Sequence, residues 1–176
     1  MLTLVCLPLK AASTELKALE AKYDASKLDH DDAARQNYVI KLCRLRFKLI
    51  MAGRDDWQAV DAEIIRHPVA QDSDRTALAK LRLGVWHSPR HDYRYEPNGT
   101  WRMVDGGQED PDATHGTWSI KGAQYTDVAA GEDPPPAYTI VLADKENFIF
   151  TDGIHLFFLK RTLGKGLPIR RDERGE

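Results

Sequence analysis

Apolar residues recur along the first half of the chain at the spacing of helices. Leu16, Leu19 and Tyr23 stand three and four apart, as do Tyr38, Leu42, Leu45 and Leu49, and again Trp57, Val60 and Ile64. Each segment thus carries one apolar face, and such faces pack side by side in a bundle or a short coiled coil. The punctuation agrees. Asp29 to Asp32 can cap a second helix, Gly53 stops it, Asp55 or Asp56 opens a third, and His67-Pro68 ends that one. Asp72 to Asp74 open a shorter fourth helix carrying Leu78 and Leu81, and Gly84 terminates it.

From Gly84 onward the apolar period shortens to that of strands. Alternation and turn residues mark eight of them, at 84–88, 91–96, 99–104, 115–121, 123–127, 137–143, 146–151 and 154–161. Asn98-Gly99, Lys121-Gly122 and Asp152-Gly153 suit tight hairpins, because those residues tolerate the positive φ that such turns need. Tyr93 and Tyr95 share a face, as do Trp101 with Met103, Trp118 with Ile120, Tyr138 with Ile140 and Leu142, and Phe148 with Phe150. Asp92, Arg94, Glu96, Arg102, Ser119 and Lys121 alternate with them. One apolar and one wet face, strand after strand, is the pattern of an up-and-down antiparallel sheet. The last strand differs: Ile154, Leu156 and Phe158 face one way, Phe157 and Leu159 the other. Its second face needs a cover, and the helical half can supply one. The predicted fold class is α+β, with a helical hairpin or bundle over 14–83 followed by an eight-stranded antiparallel barrel or strongly curved sheet over 84–163.

Three of the four tryptophans follow a glycine by two positions: Gly84-Val85-Trp86, Gly99-Thr100-Trp101 and Gly116-Thr117-Trp118. A glycine lets the backbone turn or approach closely, and the ring that follows plugs the base of a small β-domain. Gly84 and Trp86 on the first strand, with Arg161 on the last, resemble the lipocalin-type signature. That resemblance implies a Trp86 ring closing one end and Arg161 stacked across it in a cation–π contact. Strands of five to eight residues are much shorter than a lipocalin's. Eight-stranded barrels enclose either packed side chains or one small ligand, and both outcomes are open here. Tyr93, Tyr95, Trp101, Trp118 and Tyr138 are the residues expected to line a ligand-binding end.

A second resemblance spans Tyr38-Val39-Ile40-Lys41-Leu42 through Met51-Ala52-Gly53-Arg54-Asp55-Asp56-Trp57-Gln58-Ala59-Val60-Asp61-Ala62-Glu63-Ile64. This stretch is similar to a helical hairpin found in exported bacterial proteins that carry a Gly-Thr-Trp-rich β-domain behind it. It implies the same layout and export, and no chemistry. Export also follows from residues 1–13, where the apolar run Leu2 to Leu9 precedes Ala11-Ala12-Ser13, small residues at a spacing a signal peptidase accepts. The run is far shorter than the ~20 residues that span a bilayer, and bulky Val5 argues against lipid attachment at Cys6. Removal of this leader leaves Cys43 alone on a helix as a small hydrophobe, with no intramolecular disulfide. The expected location is periplasmic or secreted.

Charge narrows the partners. The chain carries 25 Lys and Arg against 27 Asp and Glu, split 14 to 12 through Leu83 and 11 to 15 beyond it. Neither half is basic enough for a nucleic-acid surface, and nothing points to peripheral membrane association. Four histidines, His87, His91, His115 and His155, fall in the β-half, but their spacing gives no metal set. Glu109, Asp110 and Asp112 share one loop and Glu132-Asp133 another, without the spacing of a calcium loop. Gly164-Lys165-Gly166 lacks the context of a phosphate loop, and Pro134-Pro135-Pro136 forms a stiff connection between strands. Residues 164–176 form an alternating-charge tail expected to fray. No cofactor, metal or catalytic residue is predicted. The expected protein is an exported, non-enzymatic binding or interaction protein that holds a small apolar or aromatic ligand or meets a protein partner. The rival readings are a small histidine- or metal-dependent hydrolase using His87, His91 and His155, and a structural module that oligomerises through its helices.

Overall fold

Helix α1 (Thr14–Lys22) leads to a long helix α2 (Asp32–Met51), which doubles back through α3 (Trp57–Arg66). These are the positions that the apolar spacing predicts. Asp31 caps α2, its carboxylate accepting the Ala34 N–H at 3.0 Å, and Gly53 follows the helix with a φ of 66° that an L-side chain rarely adopts. The computed structural model describes residues 14–23, 28, 30–69, 75–104, 114–162 and 165–168, without the side chains of Arg75 and Thr76. The leader with Cys6, the Asp72 to Asp74 cap, the loop of Glu109, Asp110 and Asp112, and the tail from Ile169 onward lie outside the described residues. The fraying predicted for 164–176 does not hold at the start of that tail, where Leu167 is buried in the helical core and donates its N–H to Asn147 Oδ1. Among the described residues, no helix is long and apolar enough to cross a membrane.

A short helix α4 (Arg75–Arg82) delivers the chain to eight strands: β1 (Gly84–His87), β2 (Asp92–Tyr95), β3 (Thr100–Met103), β4 (His115–Lys121), β5 (Gln124–Ala129), β6 (Tyr138–Ala143), β7 (Asn147–Thr151) and β8 (Leu156–Lys160). Each pairs antiparallel with its neighbour in sequence, and β1 meets β8 through His87 and Lys160, so the sheet closes into an up-and-down barrel of lipocalin-like form. Strand connections therefore alternate between two ends. The β1–β2, β3–β4, β5–β6 and β7–β8 connections gather at one end, and α4 enters at the other. Pairing of β5 with β6 is confined to Gln124 with Thr139 and Tyr125 with Tyr138. Before Tyr138 runs Pro134-Pro135-Pro136, which has no N–H to offer a ladder, so β5 beyond Tyr125 has no partner strand on that side.

Two apolar cores result, and both cross the boundary at Gly84. The first joins Leu16, Tyr38, Leu42, Leu49, Val60 and Ile64 of the helices to Val141, Leu142 and Ile149 on the barrel's outer wall. Leu156 and Phe158 pack into it from β8, so the helices cover the second face of the last strand as its sequence requires. The second core fills the barrel with Trp86, Tyr95, Trp101, Trp118, Tyr125, Ile140, Phe148 and Phe150, and α4 adds Leu78 from below. One sequence expectation fails here. Leu142 does not share a face with Ile140, because the ladder slips between the two: Ile140 pairs with Phe150 but Leu142 with Ile149. The extra residue rotates Leu142 outward to the helices and brings Ala143 inward.

Candidate functional site

The barrel's two ends differ in chemistry. At the end where α4 enters, the Trp86 ring is fully buried, and the Arg161 guanidinium carbon sits 4.5 Å from its centroid. This is the pairing that the lipocalin-type signature implies. Its details show why the arginine is needed. Arg161 donates through Nη1 to the Leu83 carbonyl at 2.7 Å, through Nη2 to the Leu81 carbonyl, and through Nε to the Lys145 carbonyl at 2.9 Å. The Trp86 indole donates to the Arg82 carbonyl at 2.6 Å. Three carbonyls at the C-terminal end of α4, which have no partner within the helix, are thus satisfied from the barrel. Gly84 permits the approach: its φ is 97°, and a Cβ there would stand 3.1 Å from Arg161 Nη1.

Above this plug lies a buried polar cluster. The Arg82 side chain, fully buried, rises from the end of α4 into the barrel, its guanidinium carbon 3.5 Å from the Tyr95 ring centroid and 4.4 Å from that of Phe148. Arg82 Nη2 donates to Tyr125 Oη at 2.7 Å. Tyr125 in turn donates to Asp127 Oδ2, which also accepts from Tyr95 Oη at 3.0 Å. Arg82 Nη2 stands 4.0 Å from the same oxygen, so the buried cation has its counter-ion across a tyrosine hydroxyl. Burial raises the Asp127 carboxyl above its ordinary value, against the opposing pull of the Tyr125 hydrogen bond and Arg82. Burial likewise raises the phenols of Tyr95 and Tyr125.

Among the described residues, the opposite end is open. A cleft of about 830 Å³ enters the barrel there and continues over the rim of β8 to α2. Its inner wall carries the rings of Tyr93, Tyr95, Trp101, Tyr138, Phe150 and Phe157, with Asp127 among them. Tyr93 meets Trp101 edge-on at 5.6 Å, and Phe150 stacks on Phe157 at 5.0 Å with 13° between planes. The rim is polar, with Arg90, His91, Glu132 and His155.

Four of the five residues expected to line a ligand-binding end therefore come together in this cleft: Tyr93, Tyr95, Trp101 and Tyr138. Trp118 is placed elsewhere. It lies deeper, edge-on to Tyr95 at 6.0 Å, with its indole N–H shared between the Glu96 and Thr100 carbonyls at 3.2 and 3.1 Å. The histidines are dispersed. His87 pairs with Asp92 at 2.8 Å on the outer wall, His155 with Asp152 at 3.0 Å at a hairpin tip, and His91 sits on the rim. The described His, Cys, Asp and Glu side chains form no group of three that could hold a metal ion.

Sequence reasoning overlooked Arg82 and Asp127. Asp127 had a signal, since it follows Tyr125 by two positions and must share its face. Arg82 had none, because an arginine in the last turn of a helix ordinarily lies in water near the negative end of the dipole. Comparison with family models, curated proteins and solved structures gives no match to this chain.

Proposed function

We propose that this protein binds a small molecule with an aromatic or apolar body in the open end of its barrel, and that it acts by binding rather than catalysis. One observation carries the reading: six aromatic rings converge on a cleft of about 830 Å³ whose floor is a hydrogen-bonded polar cluster. Rings of this kind give large flat contact with little rotamer freedom to lose, while a few fixed polar groups orient what they hold. The non-catalytic part is supported by the fate of the inner-wall acid. Asp127 Oδ2 is committed to two phenol hydroxyls and stands beside Arg82, an arrangement that fixes a charge rather than moves a proton.

Titration with phenylnaphthylamine, a neutral dye that brightens in apolar surroundings, tests the proposal. A saturable rise in emission is expected, with affinity weakened roughly tenfold in Tyr93→Ala and in Tyr138→Ala, each of which removes a ring from the wall. Absence of saturable binding, or undiminished, wild-type affinity in both variants, overturns it. We also propose export, which rests on the Leu2 to Leu9 run before Ala11-Ala12-Ser13. Intact-mass measurement on protein recovered from a producing cell should show a chain lacking these residues, and recovery of the full chain inside the cell counts against it.

A further inference from the structure

The floor of the cleft narrows the ligand class, an inference that rests on the small-molecule reading above. We propose that the ligand is an organic ammonium, whose N–H donates to Asp127 Oδ1 while its apolar body lies among Tyr93, Trp101, Tyr138, Phe150 and Phe157.

The argument starts from the two oxygens of one carboxylate. Oδ2 accepts from Tyr95 and Tyr125, which fixes the plane of the group, whereas Oδ1 accepts no hydrogen bond among the described residues. The Asp127 side chain is 21% exposed and lines the cleft, while Arg82 behind it is 0% exposed. The pair therefore shows its two ends unequally. The cation is sealed beneath Tyr95 and Tyr125, its charge spread over their rings, and the anion faces the space a ligand would fill.

Each ligand class meets this floor differently. A carboxylate or phosphate would face Asp127 with no route to Arg82. A hydrocarbon would strip water from Oδ1 and return no hydrogen bond, a penalty that falls on any buried acceptor left without a donor. An ammonium supplies the donor, adds charge assistance, and finds aromatic faces around it that attract cations. The basic groups nearer the mouth do not cancel this preference. Arg46 is held by Asp61 at 2.6 Å, His155 by Asp152 at 3.0 Å, and Arg90 is exposed to solvent. His91 on the rim meets the Tyr93 ring edge-on at 6.3 Å, with Glu132 lining the same rim.

Three compounds that differ only at the end of one chain decide the matter: phenethylamine, propylbenzene and hydrocinnamate. Their affinities are measured on the intact protein near neutral pH by displacement of phenylnaphthylamine, and for the two soluble ions by calorimetry. Phenethylamine is expected to bind tenfold or more tightly than propylbenzene, with hydrocinnamate weakest, as a charge-assisted hydrogen bond implies. In Asp127→Asn the advantage of the amine should vanish while propylbenzene binds as before. The wild-type series stands alone should that variant fail to fold. Equal or tighter binding of propylbenzene overturns the ammonium inference and leaves the small-molecule reading standing, as does a folded Asp127→Asn variant that keeps the amine's advantage. Failure of the dye and all three compounds to bind overturns both.

Discussion

The Trp101 indole packs against Gly116, its cross-strand neighbour. A Cβ at Gly116 would stand 2.8 Å from Trp101 Cε2 and Nε1, and only 1.9 Å from the Val128 carbonyl oxygen. The glycine is therefore a packing device, giving the ring the space that a side chain would take and letting β4 approach β5. Gly116→Ala should destabilise the protein by about 3 kcal/mol or more, since the backbone oxygen cannot retreat without breaking the ladder. Gly122→Ala is the control. There φ is 60° and nothing lies within 4 Å of the added methyl, so only conformational strain of about 1–2 kcal/mol is expected. Urea unfolding of the two variants separates these outcomes, and equal losses would contradict the packing account.

Truncation of the plug should be costly. Trp86→Ala is expected to lose about 3–5 kcal/mol, as for large aromatic residues removed from cores. Arg161→Ala should lose less, about 2 kcal/mol, because the α4 carbonyls it leaves are near enough to the surface to find water. The two changes share a contact at 4.5 Å, so their effects should be non-additive by at least about 0.5 kcal/mol. A double-mutant cycle in urea reads this directly, and strict additivity would mean the stacking contributes nothing.

A second arginine ties the helices to the barrel. Arg46 on α2 donates to Asp61 of α3 at 2.6 Å, and its guanidinium carbon lies 5.2 Å from the Trp57 ring and 4.8 Å from that of Phe158 on β8. Burial raises the Asp61 carboxyl, and Arg46 opposes the shift. Arg46→Ala leaves that carboxylate without its partner and should cost about 2–3 kcal/mol, discounted from the fully buried case because both groups retain some solvent. Arg46→Ala combined with Asp61→Asn should recover part of the loss. Thermal unfolding of the single and double variants tests this, and a double variant no better than the single would refute the charge explanation.

Alkali should unfold the protein through its buried phenols. Burial raises Tyr95 and Tyr125, and burial followed by the charge of Glu63, which accepts from Tyr38 Oη at 3.0 Å, raises Tyr38. Their folded pKa values lie above the unfolded value, so the folded state keeps protons that the unfolded chain gives up. Stability is full below the unfolded value near ~10 and falls as pH rises from there toward the folded values, by up to about 1.4 kcal/mol per pH unit for each phenol. The tyrosinate absorbance should accordingly rise in two stages, with these three appearing only as the circular dichroism is lost. Full ionisation of all tyrosines in a folded protein would exclude the mechanism.

Cys43 provides a probe of the helical core. Its thiol is buried and pushed up to about 12 by that burial, so little thiolate exists at neutral pH and little reagent can reach it. Peptide mapping after iodoacetamide treatment should find Cys43 unmodified in the native protein and fully modified in urea. Labelling under native conditions would reveal local opening of the α2–α3 hairpin.

The sequence by itself determined the order and kind of the elements, because those depend on neighbours along the chain. Apolar residues three and four apart placed Tyr38, Leu42, Leu49, Val60 and Ile64 in one core, and period-two alternation with glycine turns marked all eight strands. Gly84, Trp86 and Arg161 were legible through their likeness to the lipocalin-type signature, which sets a first-strand ring against a residue at the end of the last strand. Tertiary structure alone decided the rest. The slip beside Val141, which turned Leu142 toward the helices, leaves no mark in the alternation. Arg82 looks like an ordinary solvated helix end until the barrel closes over it, and only then do Tyr95, Tyr125 and Asp127, far away in the chain, become its surroundings. Whether an interior is filled or open depends on summed volumes and on which strand edges meet. Pro134-Pro135-Pro136 sets one such edge by withholding its N–H groups beside β5, where Asp127 faces the cleft.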